Sequence, residues 1–208
     1  MLYKSNFSKT TILILVASIV AINAHAQLGI RAGINSSWIT TFDDKAPDDI
    51  KSKTGYLVGM IFDVDMDDKS FIQIGLYLIN QGGKSDKTFL GKTLQSNETV
   101  KMSLNYIRLN LVQRRLFGNS KVFWQVGPNF DFAISAKIIV NIDGERSKHK
   151  MELGKSLKMF NFGACGGIGY QFDNILIDLS TNSGIIKIFP IKHKYYNSEL
   201  NFNVTYLF

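Results

Sequence analysis

Eight stretches of this chain alternate apolar and polar residues with a period of two, and that pattern limits the fold more than any other feature. A strand sends successive side chains to opposite faces, so each stretch reads as a strand with one apolar face. Tyr56, Val58, Met60, Phe62 and Val64 alternate with Leu57, Gly59, Ile61, Asp63 and Asp65. The stretches Ile72 to Leu78, Ile107 to Leu111, Trp124 to Ile134, Phe160 to Phe172, Ile175 to Ser180 and Leu200 to Phe208 repeat the theme. A weaker first stretch runs from Leu28 to Ser36. At roughly ten residues each, they have the length a tilted strand needs to cross a bilayer. Short joins at 66–70, 118–120 and 173–174 alternate with long ones at about 38–54, 83–101, 136–156 and 183–199. Every long join therefore falls on one rim. The expected fold is all-β, an eight-stranded antiparallel up-and-down transmembrane barrel with short periplasmic turns and long extracellular loops.

Residues 1–26 read as a secretory signal peptide ahead of one barrel domain, 27–208. Lys4 and Lys9 precede the apolar run Ile12 to Ile22, and Ala24-His25-Ala26 forms a small-x-small cleavage site before Gln27. The run is shorter than the roughly 20 apolar residues of a membrane-spanning helix; an uncleaved anchor is the rival reading. No Cys follows the run, which excludes a lipoprotein anchor. The one Cys of the chain, Cys165, excludes an internal disulfide framework and a Cys-rich zinc site. Export through the Sec pathway to the outer membrane follows. Loss of Lys4 and Lys9 with the leader lowers the formal net charge of +7 by two.

A soluble, lipocalin-like barrel would bury the apolar face and wet the polar one; a membrane barrel reverses them. Fifteen Phe, 8 Tyr and 2 Trp are too many rings for the interior of an eight-stranded barrel. The rings also gather at segment ends. Phe62, Trp124, Tyr170, Phe172, Tyr206 and Phe208 fall near the short-join rim, and Tyr56, Phe132, Phe160, Phe162 and Phe202 fall toward the long loops. Amphipathic rings prefer the headgroup zone, so two such girdles mark a membrane wall. The opposite face is Gly-rich and polar, with Arg31, Arg108 and Arg114 against Asp63, Asp131 and Asp178. Balanced charges in a narrow lumen read as internal salt bridges, a plug rather than a selectivity ring. The lipocalin-like arrangement stays open as the competing one.

The chain ends on Phe208, with Phe202, Val204 and Tyr206 at alternating positions before it. This is similar to the C-terminal recognition signal of outer-membrane proteins, which implies the barrel-assembly machinery as a partner during biogenesis. Further motifs carry a resemblance over nearly all of the mature chain. Gly29 to Asn35, Leu104 to Leu111, Trp124 to Pro128, Phe160 to Gly163 with Gly166 to Tyr170, and Ile177 to Gly184 resemble the PorT-like outer-membrane β-barrel family typical of Bacteroidota. Two positions depart from the family pattern: Asn110 stands where Pro is usual, and Thr181 where Tyr is usual. The resemblance implies fold and location. It brings no catalytic residues, and the secretion role of one member reaches this chain only by analogy of fold.

An enzyme acting on outer-leaflet lipid would need a Ser, His and acid near the rim. His149 and His193 lie in Lys148-His-Lys150 and Lys192-His-Lys194 within long loops, where they read as solvated members of basic segments. Cys165 faces the lumen among glycines and reads as packing. No cofactor and no metal site is expected. Loops 83–101, 136–156 and 183–199 each carry an excess of Lys and Arg, which would draw them to phosphorylated glycolipid, including lipopolysaccharide, in the outer leaflet. Nucleic acid is a poor partner for this compartment, and no recognition motif is present. The apolar stretch Ile185 to Ile191 reads as strand extension, with a protein-partner surface as the alternative. The expected role is structural or interaction-based through the loops. An accessory role in transport or secretion stands second, and a lipid-modifying enzyme third.

Overall fold

The computed structural model describes residues 26–41, 50–86, 88–89, 92–94, 98–143, 145–189 and 194–208. Its strands, in chain order, are β1 (Ala26–Thr41), β2 (Lys53–Asp67), β3 (Ser70–Ser85), β4 (Thr88–Phe89), β5 (Lys92–Thr93), β6 (Glu98–Leu116), β7 (Val122–Ile142), β8 (Glu145–Lys150), β9 (Phe160–Phe172), β10 (Ile175–Gly184) and β11 (Tyr195–Leu207). Among the described residues, eight of these pair antiparallel around a closed ring, β1-β2-β3-β6-β7-β9-β10-β11. β11 returns to β1 over a long seam, from Gly29↔Leu207 to Thr41↔Tyr195. Closure leaves no free sheet edge in the wall, so backbone N–H and C=O groups there pair with a neighbouring strand, the bulged residue of β7 apart.

The alternation sorts as a membrane barrel requires. Tyr56, Val58, Met60 and Phe62 are exposed, while Leu57, Ile61 and Asp63, on the opposite parity, are buried. Leu76, Leu78, Ile107, Leu109, Phe132, Ile168, Phe202 and Val204 likewise face outward. A contiguous apolar exterior of this size marks a lipid-facing surface. The short turns at 68–69, 117–121 and 173–174 share one rim with both ends of the barrel.

Strands run further than the alternation of apolar residues predicts. The joins at 38–54, 83–101, 136–156 and 183–199 are shorter than expected, because β1, β3, β6, β7 and β11 continue well above the lipid band. β8 folds back on β7, pairing Lys137↔Lys150 to Ile142↔Glu145, and occupies the side that β9 takes lower down. A bulge lies between the two levels. Asn105 pairs with Ser135 and Tyr106 with Ala133, so Ile134 is an extra residue in β7. One inserted residue reverses the facing of everything after it: Ala136 turns inward and Lys137 outward.

Candidate functional site: the filled lumen and its rim

The interior is built in storeys. Nearest the short turns, Ile61, Phe123, Leu176 and Leu207 form an apolar floor. Arg114 crosses it, with its guanidinium 4.0 Å above the Phe71 ring and 5.2 Å from Phe123. It pairs with Asp63 and donates to Gln171 Oε1 at 2.8 Å. Rings in and above this floor need bare backbone beside them. A Cβ at Gly75 would collide with the Tyr77 phenol, and one at Gly169 with the Phe123 ring.

The middle storey holds Arg31. Its Nε donates to Thr205 Oγ1 at 2.7 Å, and its Nη2 stands 3.2 Å from Asp178 Oδ2, an ion pair without hydrogen-bond alignment. The other carboxylate oxygen of Asp178 accepts from Gln125 and Asn203, both at 2.9 Å. A cavity of about 20 Å³ lies beside these groups, lined by Tyr77, Asn110 and Cys165 among others. That is room for about one water molecule and for no organic ligand. The Cys165 thiol donates to Gly127 O at 3.2 Å and accepts from Asn110 at 3.3 Å, which is packing chemistry.

The third storey holds Arg108. It grips Asp131 in bidentate fashion, Nε to Oδ1 at 2.6 Å and Nη2 to Oδ2 at 2.8 Å, and pairs through Nη1 with Glu199. Glu199 also accepts from Gln81 Nε2 at 2.5 Å and from Asn201 Nδ2 at 3.1 Å. Asn197 bridges Gln81 and the Tyr106 hydroxyl at 3.1 and 3.2 Å. Planar guanidinium forks suit such two-oxygen contacts in a confined space.

All six lumen charges anticipated from the sequence thus lie inside, joined as Arg31 with Asp178, Arg108 with Asp131 and Arg114 with Asp63. Glu199 is the correction. It was expected as a loop charge and is buried at 1% exposure as the second acid of the Arg108 cluster. Its parity gave the clue, since Glu199, Asn201, Asn203 and Thr205 form one inward-facing series.

An apolar plug caps the polar storeys at the loop end. Ile39, Ile79, Val100, Met102, Leu104, Leu157, Ile188 and Phe189 are buried together there. The stretch from Ile185 is therefore not strand extension over its described part; Ile185 stays exposed, and the residues after it turn toward the plug. Ile188 and Phe189 tuck inward, held by Ile188 N donating to Tyr195 O at 2.9 Å and by an edge-on contact of Phe189 with Tyr195. Residues 190–193, with Ile191 and His193, lie outside the described residues, as does Ala24. Ala26, placed in the leader by sequence, and Gln27 are paired in β1 with Val64 and Asp63. Beside the plug, Lys53 contacts Asn80 and Gln81, and burial together with the nearby Lys101 pulls its amine down to about 8.

The outer surface carries the girdles. Phe62, Tyr170, Phe172, Tyr206 and Phe208 are exposed near the short-turn rim, with ring pairs Tyr170–Phe172 at 4.5 Å and Tyr206–Phe208 at 5.4 Å. Trp124 is half-buried beside Arg115 and Ile168. The C-terminal residues Phe202, Val204 and Tyr206 on β11 and Phe208 just after it form one outward row. His149 was expected in a loop; it stands on β8, with Ser147 Oγ 3.0 Å from its Nε2. The pair is exposed on an edge strand, with no enclosing cavity among the described residues. No metal-ligand cluster occurs among them either.

The family model for "outer membrane protein beta-barrel domain" matches residues 19–190. Among solved structures, the chain is similar to Neisserial surface protein A at 13% identity, over 88% of this chain and 99% of that one, with a TM-score of 0.54. The attachment invasion locus protein Ail of Yersinia pestis aligns at 11% identity over 88% and 99% of the two chains, with a TM-score of 0.46. No curated protein matches the sequence.

Proposed function

Because the chain belongs to the outer-membrane protein β-barrel domain family, we propose that it is a closed, non-catalytic barrel whose work is done by its wall and loops. The filled lumen is the observation that carries this. Three Arg–carboxylate clusters and an apolar plug stand one above another across the bore; the cavity beside Arg31 has room for about one water, and the gap beside Arg108 and Glu199 has room for none. A conducting channel needs a continuous wet path, and a lipid-modifying enzyme needs a held nucleophile beside a substrate groove. The residues present favour neither.

In this reading residues 1–26 direct export by the Sec route, and the Phe202-Val204-Tyr206-Phe208 row engages the assembly machinery. The motifs quoted above support a PorT-like, Bacteroidota-type member. Fractionation with heat-modifiable gel migration tests the central claim. A folded barrel in the outer-membrane fraction, running faster unheated than boiled, is expected; a soluble periplasmic protein would refute it. Deleting the gene and cataloguing secreted proteins separates the structural role from the accessory role in secretion. Loss of secreted proteins with an intact envelope would favour the latter.

A further inference from the structure

The outer wall changes character above the lipid band on β3, β6, β7 and β8. Residues directly opposite on neighbouring strands share a face. Lys84 lies opposite Lys101 across β3 and β6, and Lys137 lies opposite Lys150 across β7 and β8. Lys101 and Lys148 flank Ile139 in one row, and Arg146 pairs with Asn141 in the next. All six cations are exposed, and none forms an ion pair among the described residues. The nearby Asp86 is already engaged by Lys51 at 2.6 Å.

Like charges placed directly opposite each other destabilise a sheet. Lysines on β8 have an ordinary explanation, since charge on an edge strand blocks unwanted pairing. That explanation fails for Lys101 and Lys137, which sit on strands paired on both sides. The bulge at Ile134 sharpens the point, because it is what turns Lys137 outward and joins it to the same face as Lys101.

Height identifies the occupant. On β7 the outward apolar series runs from Trp124 to Ile134, about 33 Å of strand and about 25 Å of membrane height at a tilt near 40°. Lys137, with Lys150 opposite, follows about 7 Å higher at the same rise and tilt, within the 5–8 Å or so of one headgroup layer, and the Lys101–Lys148 and Arg146 rows stand about 5 and 10 Å above it, at the height of a glycolipid's outer sugars and their phosphates. The wall below it is apolar and lipid-facing, so the ligand that fits carries acyl chains beneath an anionic head.

We propose that this basic ladder, Lys84, Lys101, Lys137, Arg146, Lys148 and Lys150, binds the phosphate groups of an outer-leaflet glycolipid. The site rests on the outer-membrane reading above and gives the wall a specific partner. Its test uses the refolded full-length barrel in mixed micelles, titrated with diphosphorylated lipid A, dephosphorylated lipid A, inorganic phosphate and heparin fragments. Saturable, salt-sensitive binding of the phosphorylated lipid is expected. The triple variant K101Q/K137Q/K150Q is expected to weaken it roughly a hundredfold, at about fivefold per lysine near a charged surface. A second variant, K121Q on the opposite rim, is expected to bind as the wild type does.

Heat-modifiable migration is measured on every sample. A wild type that never migrates as a barrel removes the outer-membrane reading itself. A folded barrel that binds both forms of lipid A equally, or whose triple variant binds as before, overturns the ladder alone. Displacement by millimolar inorganic phosphate without regard to acyl chains, or preference for heparin over lipid A, also overturns it.

Discussion

Replacing Arg108 by leucine removes the cation from a buried cluster that holds two carboxylates. The substitution deletes both bonds to Asp131 and the contact with Glu199, and it leaves two acids facing each other across the bore. Removing one member of a buried ion pair costs about 3–5 kcal/mol, and the second stranded acid places R108L near the top of that range. E199Q is the contrasting change. It keeps the bidentate Arg108–Asp131 pair and the side-chain shape and loses one charge-assisted contact, worth about 1.5–3 kcal/mol. The triple variant R108L/D131N/E199Q leaves no charge in this cluster and should recover most of what R108L loses. Urea unfolding of barrels refolded into vesicles, followed by tryptophan fluorescence and gel migration, measures all three. At a slope near 2 kcal/mol per molar, R108L should lower the midpoint by about 2 M. An R108L barrel no weaker than E199Q, or a triple variant no stronger than R108L, would refute the reasoning.

Gly75→Ala should destabilise the barrel by about 1–3 kcal/mol, because the new methyl displaces the Tyr77 ring and its 3.4 Å contact with Arg31; unchanged urea midpoints would contradict this. Lys53, whose amine is held at about 8 against an ordinary 10.5, makes stability rise with pH between those values, full above 10.5 and lost as pH falls through 8. Side-chain NMR titration should give that midpoint and move it upward in K101Q; a midpoint near 10.5 in the wild type counts against the burial. Planar bilayers containing the wild-type barrel should show no stable current steps, and regular conductance steps would mean the lumen opens. H149A should leave outer-membrane lipid composition unchanged, and an altered acyl profile would revive the enzyme reading.

The wall of the barrel was legible from period alone, because a lipid-facing strand has one chemistry on each side for its whole length. What lay above the bilayer was harder to read, for a physical reason. On β6 the outward residues are apolar at Ile107, Leu109 and Leu111 but polar at Lys101, Ser103 and Asn105, while Val100, Met102 and Leu104 now face inward. The alternation persists, but its polarity inverts where the strand leaves lipid for water. A reading that follows the apolar face takes the upper part for loop. On β7 the bulge at Ile134 shifts the phase as well, and no residue type announces it. Glu199 and Lys53 were missed for the same reason: both stand on strand extensions that were assigned to loops.

The seam between β1 and β11 has a consequence for how the molecule comes into being. Arg31 sits on β1, while its partners Asp178 and Thr205 sit on β10 and β11; Arg108 sits on β6, and Glu199 sits on β11. The C-terminal strand therefore brings a second acid to Arg108 and a hydroxyl to Arg31 when it meets the first strand. Until then Arg31 is parted from Thr205 and Asp178 across the open edge, and a sheet with that cation on its concave side is a poor guest for hydrocarbon. The β1–β11 seam is thus a latch whose catch is electrostatic as well as backbone pairing.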